Sequence, residues 1–256
     1  MEATIVRKLH KDSLAVNVFQ SRAQMGTAAA DLVSDKINQL LKTKENVNII
    51  FAAAPSQNEF LAALIEKDID WSHINAFHMD EYIGLDAKAP QGFGNFLRAR
   101  LFDKVPFRTV QYLDGNNDNF ELECKRYANL LNFYPTDIVC LGIGENTHLA
   151  FNDPHVADFN DPQIVKVVEL DLDCRQQQIN DGCFNTIKEV PVNALTLTIP
   201  TLFNAAFMFC IVPGEKKAKA VYHTLNEDIS EKFPSTILRR HPNAILFLDE
   251  DSSALI

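Results

Sequence analysis

Residues able to move protons are concentrated in one stretch, Leu141-Gly-Ile-Gly-Glu-Asn-Thr-His-Leu-Ala-Phe-Asn-Asp-Pro154, where two glycines, two carboxylates, amides and a histidine follow a short apolar run. The run itself, Asp137-Ile-Val-Cys-Leu141, is of the β-branched kind that forms a buried parallel strand, and Gly142 and Gly144 let the backbone turn sharply and come close to a ligand. An imidazole flanked by carboxylates is suited to general acid–base work near neutral pH. Three further clusters carry chemistry: Ala54-Pro-Ser-Gln-Asn58, Met79-Asp-Glu-Tyr82 and Pro213-Gly-Glu-Lys-Lys217. Each alone is a weak signal, since an Asp-Glu pair after a strand is ordinarily a solvated turn and a lone histidine ordinarily a structural one. All four follow apolar runs, however, and parallel strands would set the four loops along one edge of a sheet, where open α/β sheets bind ligands.

The elements needed to hold them alternate along the chain. Strands are expected over about residues 4–9 and 14–19, then a helix capped by Ser21 and running to about Lys42, with Ala28, Ala29, Leu32, Val33, Ile37, Leu40 and Leu41 on its buried side. Val47–Ala53 reads as the next strand. Ser56 with Glu59 three residues on reads as a capping box for a helix through Glu66. His73–Phe77 is a third strand, helices follow near 93–102 and 119–131, and then comes the strand ending at Leu141. Strands are expected over 164–170, 194–199 and 206–212, a helix after Gly214, and a last strand at Ala244–Leu248. No internal repeat is visible. The alternation implies an α/β fold with a mainly parallel sheet and helices on both faces.

Composition narrows the function classes. The chain has 256 residues with no Gly/Ser/Pro-rich linker, which fits one domain. A formal charge of −10 argues against nucleic-acid or anionic-membrane partners and requires any anion site to be built locally. The five cysteines form no C-x-x-C pair and read as reduced, structural thiols. With no signal-peptide pattern and no apolar run long enough to span a bilayer, a cytoplasmic location is expected.

Phe77-His-Met-Asp-Glu-Tyr-Ile-Gly-Leu85 together with Gly142–Pro154 resembles the glucosamine-6-phosphate deaminase (isomerase) family, and the likeness extends over nearly the whole chain through Val190–Thr198, Pro213–Ala218 and His241–Ala244. The related 6-phosphogluconolactonases have a similar glycine-histidine loop but lack the Ala-Phe-Asn-Asp/Glu-Pro continuation at 150–154. The resemblance implies a modified Rossmann-like open sheet and an aldose–ketose isomerisation with loss of ammonia, giving fructose 6-phosphate from glucosamine 6-phosphate without a redox cofactor or metal. Moving a proton from C2 to C1 needs one base on one face of an enediol, and by match to the family Asp80 is that base. His148 takes the ring-opening role, with Asp153 and Asn146 as orienting partners. Ser56, Gln57, Asn58, Glu81, Gly144, Glu145, Arg175 and Lys217 are the residues implied to bind the phosphosugar. Whether the chain forms a homo-oligomer is left open.

The chain departs from the family pattern at several of these positions. Asn146, Thr147 and Asp153 stand where many members have Asp, Gly and Glu; Asn146 can orient an imidazole but adds no negative charge. The usual Thr-Gly-rich phosphate loop is replaced by Ala53-Ala-Pro-Ser-Gln-Asn58, whose polar side chains and helix start could still hold an anion. The arginine expected after the 164–170 strand is missing, with Asn180 near its place and Arg175 one turn earlier. A lactone hydrolase, a non-catalytic sugar-phosphate-binding regulator, and a metal hydrolase ligated by His78, Asp80, His148 and Asp153 are the competing readings. Pro154–Pro162 is read as a lid over the sugar, with a surface connection as the alternative. Arg239 and Arg240 are read as serving an interface or as ordinary solvated charges.

Overall fold

Apolar runs with strand-forming residues and helices with one apolar face alternate along the chain, and the computed structural model describes residues 4–256. The first third contains β1 (Ile5–Lys11), β2 (Leu14–Phe19), α1 (Arg22–Leu41), β3 (Val47–Phe51), α2 (Asn58–Leu64) and β4 (Ile74–His78). Next come β5 (Asp80–Tyr82), α3 (Phe93–Leu97), β6 (Thr109–Gln111), α4 (Phe120–Phe133) and β7 (Ile138–Leu141). The last part holds β8 (Val165–Glu169), α5 (Leu172–Asn180), β9 (Asn193–Leu197), α6 (Ile199–Phe203), β10 (Phe207–Val212), α7 (Ala218–Asn226) and β11 (Ala244–Asp249).

Eight strands form one sheet in the order β1-β2-β11-β10-β7-β3-β4-β6, in which only β1 runs antiparallel to its neighbour. Its central strands are buried on both faces, which is why they read as continuous apolar runs rather than alternating ones. Ile49, Phe51, Cys140, Phe209 and Ile211 face α1 and α2; Ile50, Val139, Leu141, Cys210 and Leu246 face the side covered by α4, α6 and α7. Helices therefore cover both faces of an open, mostly parallel sheet. From β3 the chain steps outward through β4 to β6; β7 then returns to the other side of β3, and β10 and β11 continue the opposite way. The order reverses between β3 and β7, and crevices at such switch points bind ligands.

Three local expectations need correction. The 164–170 and 194–199 strands do not join the main sheet: β8 and β9 pair antiparallel with each other, and β9 with β5, as a separate three-stranded sheet. Strand propensity is blind to which partner a strand will find. No capping box forms at Ser56, because Pro55–Gln57 make a 3₁₀ turn and Glu59 is drawn instead to Arg22, whose Nε and Nη2 donate to it at 3.0 and 2.9 Å. The helix that follows stops at Leu64, short of Glu66. Ser21 does cap α1, its Oγ accepting from the Gln24 N–H at 3.4 Å.

Candidate active site

The loops after β3, β4, β7 and β10 meet, as parallel strands require, in one cleft. Ala52–Ala54, Ser56 and Gln57 enter from β3, Met79 and Asp80 from β4 and β5, Gly142–Gly144 and His148 from the loop after β7, and Lys217 from the turn after β10. One part of the lining is apolar, with Met79, Phe93, Ala150 and Phe151; Ser56, Gln57, Gln177, Gln178 and Lys217 supply polar groups.

His148 is positioned by a network in which every donor has an acceptor. Its Nδ1 lies 2.6 Å from Asn146 Oδ1 and 3.1 Å from Asp153 Oδ1. Both neighbours are acceptors, so Nδ1 carries the proton and Nε2 is left with its lone pair. The amide orientation of Asn146 follows in turn, because its Nδ2 donates to Asp153 Oδ1 and to Asp171 Oδ2, each at 2.9 Å. Asp153 is fully buried and accepts the Asp171 N–H at 3.1 Å through its other oxygen. Burial pushes the Asp153 carboxyl up, but hydrogen bonds from His148, Asn146 and the Asp171 N–H outweigh it and hold it below the usual carboxylate range. Asp171 also caps α5 through the Cys174 N–H. One polar network thus ties the imidazole to the helix that carries Gln177 and Gln178.

Asp80 stands on β5, is 6% exposed, and lines the cleft with no hydrogen-bond donor on its carboxylate among the described residues. Burial, reinforced by the charge of Glu81, pushes its carboxyl well above the usual range. Lys217 is also buried against the cleft with no carboxylate paired to it among the described residues; burial pulls its ammonium down, and Asp181 and Glu145 oppose that. A basic carboxylate, an imidazole with a bare nitrogen and an unpaired ammonium in one cleft can transfer protons and hold an anion.

Of the residues singled out from sequence, Ser56, Gln57, Asp80, Gly144, His148 and Lys217 line this cleft, with Asn146 and Asp153 directly behind His148. The others are engaged elsewhere. Asn58 Oδ1 accepts from Arg100 Nε at 2.8 Å; Arg175 donates to the Ile187 and Val190 carbonyls at 2.6 and 2.9 Å. The Glu145 N–H donates to Gln177 Oε1, and its carboxylate accepts from Asn180. Glu81 accepts three backbone N–H groups on the far side of β5. Sequence reasoning missed Gln177 and Gln178, although Gln176-Gln-Gln178 follows a clear N-cap at Asp171. The helix-start anion site is also weaker than expected, because α2 has only seven residues.

The metal constellation His78, Asp80, His148 and Asp153 does not form. His78 is fully buried, with Nδ1 on the Asp80 carbonyl and Nε2 accepting the Leu113 N–H, both at 2.9 Å, and burial pulls its pKa down to about 4. It is a neutral structural link with no ring nitrogen left for a metal. The ligand-type groups that do converge among the described residues are His148 with Asp153 and Cys174, and Asp153 with His155 and Asp171. Asp153, common to both sets, already has its oxygens engaged by N–H donors.

Pro154–Pro162 contributes nothing to the cleft lining. Lys166 Nζ holds it through the Val156 carbonyl and the Asp161 carboxylate at 2.6 and 2.8 Å, so it is a surface connection. Arg239 is 9% exposed and bound to Asp12 and to the Glu227 carbonyl, a structural role; Arg240 is exposed. The five cysteines are free, and among the described residues no helix is long and apolar enough to cross a membrane.

Comparison with known proteins gives a consistent set of relatives. The family described as glucosamine-6-phosphate isomerases/6-phosphogluconolactonase matches residues 20–247. A glucosamine-6-phosphate deaminase of Bacillus cereus is 34% identical over 219 residues, which cover 86% of this chain and 82% of that protein. Among solved structures, a monomeric glucosamine-6-phosphate deaminase superposes with a TM-score of 0.85 at 28% identity, over 94% of this chain and 99% of the other. A 6-phosphogluconolactonase from Thermotoga maritima superposes with a TM-score of 0.74 at 19% identity, over 92% and 99%. That last likeness is one of fold.

Proposed function

The chain belongs to the glucosamine-6-phosphate isomerase/6-phosphogluconolactonase family and is an enzyme of the glucosamine-6-phosphate deaminase type, and from that premise we propose that it converts glucosamine 6-phosphate and water to fructose 6-phosphate and ammonia, the whole chain acting as one catalytic unit. In this mechanism His148 Nε2 takes the proton of the anomeric hydroxyl and returns one to the ring oxygen, opening the pyranose to the aldehyde. Asn146 and Asp153 keep Nδ1 protonated so that Nε2 is the reactive nitrogen. Asp80 removes the proton from C2, giving an enediol-type intermediate, an enolamine because C2 carries nitrogen, and hands the proton to C1. The resulting C2 imine adds water and expels ammonia. Lys217, with Ser56 and Gln178 also in the cleft lining, takes the phosphate.

The observation that supports this reading above a lactonase is the unpartnered, buried carboxylate of Asp80 facing the same cleft as His148. Lactone hydrolysis needs an activated water but no base at carbon, whereas a proton shuttled between adjacent carbons needs a carboxylate whose basicity burial has raised. Ammonia release from glucosamine 6-phosphate by the wild type and by Asp80→Asn tests it. Release that the substitution abolishes is the expected result. No release by the wild type, with hydrolysis of a 6-phosphogluconolactone instead, would overturn it.

A further inference from the structure

Asp80 and Glu81 are neighbours on β5, and the pleat sends their side chains to opposite sides of the strand. Asp80 lines the catalytic cleft; Glu81 turns away, toward a second cavity lined also by Gly94, Arg98, Tyr112 and Asp114. Its carboxylate spans two elements. Oε1 accepts the N–H groups of Tyr82 and Phe93, each at 3.0 Å, and Oε2 accepts that of Gly94 at 2.8 Å. The last two belong to the first turn of α3, whose N–H groups have no partner within the helix. Room is tight here, for a Cβ on Gly94 would lie 3.3 Å from Oε2. The clamped turn begins with Phe93, whose ring walls the cleft and packs on Tyr82 and Phe151 at centroid distances of 4.8 and 5.3 Å.

We propose that Glu81 is the positioning residue of this active site: it fastens the start of α3 to the strand that carries Asp80, fixing Phe93 in the wall of the cleft, and sets a second carboxylate beside the base. The inference rests on Asp80 being the proton-transfer base. Charged groups near Glu81 are Asp80 on the cleft side and Asp86, Arg98 and Asp114 around the second cavity. The nearest cationic side chain among these, Arg98, is stacked over Tyr112 and donates to Asn95 rather than to Glu81. Burial pushes the Glu81 carboxyl up while the N–H groups of Gly94, Phe93 and Tyr82 pull it down, and in its ionised form it acts on Asp80, where its charge adds to burial in keeping that carboxyl basic.

The test is an NMR titration of the Asp80 carboxyl without substrate in the wild type, Glu81→Gln and Glu81→Asp, so that it reads Glu81 whether or not glucosamine 6-phosphate is turned over. The expected result is a midpoint lower by about half a pH unit or more in Glu81→Gln, where the like charge is gone, and a smaller change in Glu81→Asp, where it is kept. An Asp80 midpoint unmoved in a folded Glu81→Gln would overturn the proposal. Should the amide variant not fold, amide hydrogen exchange in the wild type and Glu81→Asp replaces it. Phe93 and Gly94 should be protected in the wild type and exchange at least about tenfold faster once the reach is shortened; unprotected amides in the wild type would overturn the clamp. Failure of ammonia release by the wild type would overturn the substrate assignment and leave the titration to decide the role of Glu81.

Discussion

The imidazole of His148 lies flat against the backbone of Gly144: a Cβ built on Gly144 would stand 2.2 Å from Cε1 and 2.3 Å from each ring nitrogen. No real side chain approaches that closely, so the place of the imidazole depends on the missing Cβ. Gly144→Ala must either push the ring out of its bond to Asn146 or move the loop. Since misplacing a reacting group by about 1 Å can cost roughly 10²-fold, kcat should fall by about that factor in a protein with wild-type circular dichroism. A variant within about threefold of wild type would mean that the ring has another productive position.

Asp80 illustrates a conflict between stability and chemistry. Its carboxyl binds its proton more tightly in the folded chain than in the unfolded one, where the value is near 3.8. Such a group favours the fold below that pH, and the contribution disappears as pH rises from 3.8 through the elevated folded value. At neutral pH, where the unfolded chain's carboxyl is ionised and solvated, the unpartnered Asp80 therefore works against folding. Asp80→Asn should melt about 2 to 4 °C above the wild type at pH 7, and the difference should close as the pH approaches 3.8. Equal melting temperatures at both pH values would contradict the buried carboxylate.

Which parts of this arrangement were visible beforehand follows from what each signal measures. Val47–Phe51, Ile138–Leu141 and Phe207–Val212 were legible because strands buried on both faces must be apolar throughout, and the four loops after strands followed from parallel topology. The small sheet was not: β5 has three residues, too few for a period, and nothing in β8 or β9 specifies an antiparallel partner. Arg175 reads as a phosphosugar ligand because it lies one turn before the place of the family's expected arginine, and no such signal points to Gln178. In the fold Arg175 is occupied by two carbonyls of the 187–190 segment, while Gln178 is left in the cleft. Long-range partners decide such cases, and local sequence does not encode them.

Lys217 is the only cationic side chain lining the cleft among the described residues, and it has no protein counter-charge within salt-bridge distance there. If it holds the phosphate, Lys217→Met should raise KM for glucosamine 6-phosphate about 10- to 100-fold, since a charge-assisted hydrogen bond is worth roughly 1.5 to 3 kcal/mol. Turnover of unphosphorylated glucosamine, if measurable, should not change. An unaltered KM for the phosphosugar would place the phosphate elsewhere.

Thr147 adopts φ 72°, in the left-handed region that a β-branched residue rarely enters, and its buried hydroxyl has no hydrogen-bond partner. Strain of about 1 to 3 kcal/mol and an unsatisfied hydroxyl of about 1 to 3 kcal/mol are set against the lost methyl contact and the extra backbone freedom of glycine, each near 1 kcal/mol. Thr147→Gly should therefore stabilise the protein by about 1 kcal/mol, a rise of roughly 2 to 4 °C in Tm for a chain of this size. A lower Tm would show that the threonine's packing beside Ser235, whose N–H bonds the Thr147 carbonyl at 2.9 Å, outweighs its strain.

The amide of Asn146 does what a carboxylate at that position could not. Its oxygen accepts from His148 while its nitrogen donates to both Asp153 and Asp171. In Asn146→Asp both donated hydrogen bonds are lost and three carboxylates crowd together, with only the imidazole and backbone N–H groups to offset them. Like charges at this distance hold one proton more tightly, so the variant should bind a proton on folding. Its stability should thus be near wild type at low pH and fall progressively as the pH rises past the ordinary carboxylate range. In the active fraction the added negative charge beside Nδ1 favours the imidazolium, so the acidic limb of the pH–rate profile should move to higher pH. Thermal melts and pH–rate profiles of the two proteins measure the two effects separately. An unmoved acidic limb would mean that the limb does not report His148, and a variant equally stable at all pH values would mean that Asp171 swings away from the site.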